Sequence, residues 1–144
     1  MVQKLSNDGD AMKIMVGFDG TNIAKGVLKL AEDHAKAFDA EIFVVTAVTQ
    51  THEVKLDDME LMEESDRQLN EIKNHFDKAN IPCEVRVLVN DLQPGESLVQ
   101  FADENAIDEI IIGVKKRSKV GKLIFGSTAQ YVILEAKCPV VSAK

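Results

Sequence analysis

An α/β fold built on a single open, parallel five-stranded sheet with helices on both faces, a Rossmann-like architecture, follows from three observations. Apolar periodicity alternates along the chain between short strand-type runs and longer helix-type stripes, in the order β-α-β-α-β-α-β-α-β. The runs Phe43-Val44-Val45 and Ile110-Ile111-Ile112 are apolar without alternation, as strands covered on both faces must be. The chain has 144 residues, 45% of them hydrophobic, which is enough for one domain with one substantial core. Strands that alternate with helices pair in parallel through right-handed crossovers.

Lys13 to Phe18 (KIMVGF) reads as the first strand, ending at the turn Asp19-Gly20-Thr21. A helix follows from about Asn22 to Phe38, with Ile23, Val27, Ala31, Ala35 and Phe38 on one stripe and Thr21 or Asn22 as N-cap. Glu41 to Val48 is a nearly continuous buried strand. An acidic connection leads to a longer helix, about Asp57 to Ala79, in which Met59, Met62, Leu69, Ile72 and Phe76 keep helical spacing and read as core. Cys83 to Val89 is rich in β-branched residues and strand-like. Pro94 suits the first turn of a helix, where its missing N–H costs nothing, and that helix runs to about Asn105. Asp108 to Ile112 is a strand, Ser127 to Glu135 a helix, and Pro139 to Ser142 a last short strand. Residues 1–11 read as a flexible N-terminal tail and 12–144 as the domain.

A net charge of −7 argues against general affinity for nucleic acid or anionic membrane, which favour an extended basic face. No apolar run approaches the ~18 residues of a membrane span, and the N-terminal stretch lacks the apolar centre of a secretory signal. The expected location is cytoplasmic. Cys83 and Cys138 stand near strand starts without metal-site spacing, which fits buried thiols in a reducing compartment.

Against this acidic background, Gly113 to Thr128 (GVKKRSKVGKLIFGST) holds five of the seventeen Lys and Arg residues, and no carboxylate lies between Glu109 and Glu135. Glycines at 113, 121 and 126, followed by the hydroxyls of Ser127 and Thr128 at a helix start, offer bare backbone N–H groups to an anion. The competing reading is a solvated loop that aids solubility. The segment follows the fourth strand, and ligands of such folds lie beyond the carboxyl ends of the strands where the strand order reverses. If the first and fourth strands are neighbours, Phe18-Asp19-Gly20-Thr21 and this loop face one crevice. The loop is not a P-loop, since Leu123 follows Gly121-Lys122, and no GxGxxG follows the first strand.

The residues from about Met12 to Val141 resemble the universal stress protein family. Its nucleotide-binding branch carries G-x2-G-x9-G-[ST] after the fourth strand and a C-P-V ending. Here Gly113, Gly126-Ser127 and Cys138-Pro139-Val140 stand at that spacing, and Asp19-Gly20-Thr21 is similar to the family's D-G-S turn. The resemblance implies that Asp19 meets a ribose, that the backbone near Ala47 and Ile112 flanks an adenine, and that Gly113, Gly126, Ser127 and Thr128 hold ribose and phosphates; Phe18 is assigned to the same binding site. It implies ATP, alone or with Mg²⁺, with ADP or AMP as alternatives, and a homodimer formed through the C-terminal strand that acts on an unknown regulated protein. The chain departs from the motif at its second glycine, which is Lys116. Lys116 either reaches a terminal phosphate as a point charge or fills the cradle and prevents binding. The surrounding Lys115, Arg117 and Lys119 favour the first.

Catalysis has little support in the sequence. His34, His52 and His75 fall on or beside helices with no partner at motif spacing, and Ser127 has no identifiable base, so it reads as a phosphate-binding N-cap. No catalytic residue and no metal site is assigned, and at most a weak ATPase activity is expected. The resulting expectation is an ATP-binding, stress-response switch. A nucleotide-free interaction module of the same fold is the alternative.

Overall fold

The computed structural model describes residues 11–18, 25–50, 56–117, 123–124 and 126–143. Residues 1–10, Asp19, Thr21, Asn22, Ile23, His52, Lys119 and Gly121 lie outside them. In chain order the elements are β1 (Lys13–Phe18), α1 (Lys25–Phe38), β2 (Glu41–Thr49), α2 (Leu56–Lys78), β3 (Cys83–Asn90), α3 (Pro94–Glu104), β4 (Glu109–Gly113), β5 (Lys115–Arg117), β6 (Leu123–Ile124), α4 (Ser127–Glu135) and β7 (Val140–Ala143). Five strands form one sheet in the order β3-β2-β1-β4-β7, every pairing parallel.

Strand alternation divides the core in two. Ile14, Val16, Ile42, Val44 and Ile111 face α1 and α2, where they meet Val27, Ala31 and Ala35 and then Leu69, Ile72 and Phe76. Met15, Phe43, Val45, Ile110 and Ile112 face α3 and α4, where they meet Leu98, Phe101, Ala102, Ala129 and Val132. Both faces of β1, β2 and β4 are therefore covered, which is why these strands read as unbroken apolar runs.

Three residues read as core are exposed. Phe38 is 52% exposed, because it is the last residue of α1 and stands where the chain turns back toward β2, with its ring edge-on to that of His34 at 5.8 Å. Met59 and Met62 keep helical spacing yet are 52% and 39% exposed. The reason is length. The 23 residues of α2 span ~34 Å and the eight of β3 only ~27 Å, so the first turns of the helix overrun the sheet. Its described buried side chains begin at Leu69.

A second difference lies in the basic segment. Gly113 to Thr128 is not simply a loop: β5 and β6 pair antiparallel, Lys115 opposite Ile124 and Arg117 opposite Leu123. Strands of three and two residues are shorter than any periodicity can register.

Candidate functional site

The decisive geometry is the neighbouring of β1 and β4. Gly17 pairs with Ile112, so Phe18 and Gly113 end side by side, and from β1 the chain crosses to β2 on one flank while β4 occupies the other. The strand order reverses here, the place beyond the carboxyl ends of the strands where folds of this class form their ligand crevice. Phe18 pairs with Thr46, which brings Ala47 to the same rim. Helix α1 packs on one face of the sheet and α4 on the other, so the crevice lies between the two. Phe18, Ala47, Ile112 and Gly113 are thus gathered at one end of the sheet, and Gly126, Ser127 and Thr128 begin the helix beside it. Asp19 follows directly in sequence but lies outside the described residues.

The start of α4 differs in detail from the sequence expectation. Gly126, and not Ser127, is the N-cap; its backbone is extended at φ −69° and ψ 159°, and no side chain caps the helix. Ser127 is the first helical residue and is exposed. The first backbone bond closes from the Gln130 N–H to the Gly126 carbonyl at 3.0 Å, so the N–H groups ahead of Gln130 have no acceptor within the helix. With the helix dipole they present a partial positive charge to the crevice. Gly126 does not occupy the left-handed region. Its use is the absence of a side chain over these amides.

Gly113 is likewise not dictated by packing. A Cβ there would sit 3.4 Å from Val27 Cγ2 and 4.0 Å from the Ala143 carbonyl, ordinary contact distances. Gly17, by contrast, would meet Leu98 Cδ1 at 3.2 Å, so it is a packing glycine. Lys116 is the central residue of β5, two beyond Val114, whose N–H donates to the Ala143 carbonyl at 2.8 Å. Lying in β5, the lysine in the motif's glycine position takes strand backbone.

A rigid corner braces the same end of the sheet. The Asn90 side-chain oxygen accepts from the Leu92 N–H at 2.9 Å and from the Ser97 hydroxyl at 2.8 Å, and the Thr49 hydroxyl donates to the Leu92 carbonyl at 2.7 Å. Gln93 and Glu96 complete a capping box at the start of α3. Sequence reasoning missed this corner. Its signal was present in Asn90 and Ser97 flanking Pro94, a turn composition before a helix.

Two histidines find partners away from the crevice. His34 Nδ1 lies 2.7 Å from Oε1 of the buried Glu109, at the opposite, amino end of β4. His75 Nε2 lies 2.8 Å from Glu32 Oε1, and Glu32 also accepts from Lys36, so its carboxyl is held below the usual range first by Lys36 and then by His75. Burial pushes the Cys83 thiol up to about 11 and raises that of Cys138. Among the described residues no helix is long and apolar enough to cross a membrane.

A family model described as the universal stress protein family matches residues 11–144. The chain belongs to the universal stress protein family. A universal stress protein of Archaeoglobus fulgidus has the same fold, with a TM-score of 0.81 and 34% identity over 92% of this chain and 98% of its own. An A. fulgidus universal stress protein solved in complex with dAMP matches with a TM-score of 0.74 and 29% identity over the same shares. A universal stress protein of Thermus aquaticus is 30% identical over 132 residues, 89% of this chain and 95% of its own.

Proposed function

We propose that this universal stress protein binds an adenine nucleotide, physiologically ATP, in the crevice between β1 and β4, and that occupancy switches a cytoplasmic homodimer that regulates a partner protein. The observation that carries the reading is the convergence of the β1 and β4 ends on the uncapped N-terminus of α4. The strand ends at Phe18, Ala47 and Ile112 border the place for a base, and the amides ahead of Gln130 supply donors for phosphate. The complex of the A. fulgidus relative with dAMP supports the ligand class. The dimer is proposed through β7, the edge strand, whose outer backbone groups have no partner strand in the sheet.

The test is calorimetric titration of the purified protein with dAMP, AMP and ATP, beside Gly126→Val. Valine accepts an extended backbone, so the fold should persist while the side chain covers the helix amides. Loss of a charge-assisted hydrogen bond costs about 1.5–3 kcal/mol, roughly ten- to a hundredfold in affinity. Equal binding by the variant removes α4 from the site. Absence of binding by the wild type favours the nucleotide-free interaction module, the reading that Lys116 in the motif's glycine position supports.

A further inference from the structure

We propose that Gly95 is a positioning residue for the phosphate end of the crevice, acting through Tyr131 of α4; the proposal rests on the nucleotide reading above. Gly95 is the second residue of α3 and is buried. A Cβ placed on it would stand 2.8 Å from Tyr131 Cβ and 3.1 Å from its Cγ and Cδ1. The two helices thus touch at a point where one of them has no side chain.

The nearest of these atoms decides which way strain is relieved. Tyr131 Cβ is bonded to the helix backbone and cannot be turned aside by a rotamer change, so an added methyl group must move a helix. Carbon atoms in contact prefer ~3.5–4.0 Å, which calls for a displacement of roughly 1 Å. Helix α3 is the better anchored. Its start is tied to the strand ends through Asn90, Leu92 and Thr49, its cap is closed by Gln93 and Glu96, and Leu98, Phe101 and Ala102 are buried beneath it. Helix α4 has nine residues and only Ala129 and Val132 buried, so α4 yields.

Tyr131 stands four residues after Ser127 and three after Thr128, one turn along the same face. Whatever displaces Tyr131 therefore carries the amides of the first turn with it. Donor and acceptor at ~2.9 Å no longer form a hydrogen bond beyond ~3.5 Å, so a shift of this size breaks the phosphate contacts. Phe18 and Ala47 belong to the sheet and do not move with α4. Gly95 accordingly governs affinity for the phosphate far more than affinity for the nucleoside.

The experiment titrates the full chain with dAMP and with adenosine, using wild type, Gly95→Ala, Tyr131→Gly and the double variant, each checked by thermal melting. Gly95→Ala should weaken dAMP about tenfold and leave adenosine within about twofold. In the Tyr131→Gly background the same substitution should change dAMP affinity by less than about twofold, since the atoms it would strike are gone. Equal dAMP binding by wild type and Gly95→Ala overturns the proposal, as does equal weakening of both ligands or an undiminished effect in the Tyr131→Gly background. If Gly95→Ala unfolds, the double variant must recover both the fold and dAMP binding; a folded double variant that has lost dAMP also overturns it. A wild type that binds adenosine but gains nothing from the phosphate overturns the positioning role while keeping the nucleoside site. A wild type that binds neither overturns both.

Discussion

Replacing Thr46 by valine should stabilise the protein. Thr46 is fully buried near the carboxyl end of β2, between Phe18 of β1 and Val87 of β3, and its hydroxyl has no hydrogen-bond partner among the described residues. Strand alternation puts it on the face of Ile42 and Val44, against α1 and α2. A buried hydroxyl left unpaired costs about 1–3 kcal/mol, because it has lost water and gained nothing. Valine has the same shape and places a methyl group where the oxygen was, so the penalty disappears without a cavity. Taking about 1–2 kcal/mol as the net gain, and an unfolding entropy of ~2.1 cal/mol/K for each of the 144 residues, the midpoint of thermal unfolding should rise by about 3–7 °C. Differential scanning calorimetry, with urea unfolding at constant slope as a second measure, reads this directly. A midpoint that falls would show that the hydroxyl has a partner, and the account of this position would be withdrawn.

Lys116→Ala should weaken ATP several-fold more than AMP, and the difference should shrink as salt screens the lost charge; equal weakening of the two nucleotides, or tighter binding by Lys116→Gly, would show obstruction instead of contact. Ser142→Pro should shift the proposed dimer toward monomer in light scattering: the Pro139 and Ala143 carbonyls face β4, so Val140 and Ser142 turn their N–H groups to the open edge, and proline removes one of them. An unchanged mass would exclude this edge. The Cys83 thiol should react with a thiol reagent far more slowly than an exposed thiol at pH 8, because its folded value is about 11 against an ordinary 9.0. The sign of the linked stability follows: the folded state holds this proton more tightly, so its contribution is intact below pH 9.0 and is lost as pH rises from there to about 11. A chemical-denaturation series with no loss over that window in wild type relative to Cys83→Ala would refute the assignment.

The architecture was legible because each strand of the sheet's centre is covered twice. Phe43-Val44-Val45 and Ile110-Ile111-Ile112 have no polar face, and only a parallel sheet between helix layers asks for that. Pro94 opens α3 as its fixed φ predicts, and the α4 bounds, Ser127 and Glu135, are those read from the pattern. Angular periodicity, however, says which side of a helix faces inward and not whether anything lies beneath it. Met59 and Met62 satisfy the angle and overrun the sheet, and Phe38 satisfies it at a helix end where the chain turns back. The cap was misassigned by one residue because serine is a strong capping type, whereas at Gly126 the side chain is missing. The pair His34 and Glu109 joins positions 75 residues apart, and the closeness of Gly95 to Tyr131 is a matter of helix approach; neither distance leaves a mark on local sequence.

The pairing of β1 with β4 also fixes when the crevice can exist. Lys13 and Asp108, whose backbone N–H and carboxylate meet at 2.8 Å, are 95 residues apart, and of the elements around the crevice β1, α1 and β2 are translated before β4 and α4. Closing so long a loop costs chain entropy before any of the pairing is gained, so the β1 to β4 seam should be among the later events of folding. A nascent chain that has released β1, α1, β2, α2 and β3 already holds one flank of the sheet but has no seat for a ligand. A nucleotide that binds here would act as a clasp across the β1 to β4 seam, drawing together parts of the domain made at well-separated times, and its stabilising effect would fall on a seam that forms late.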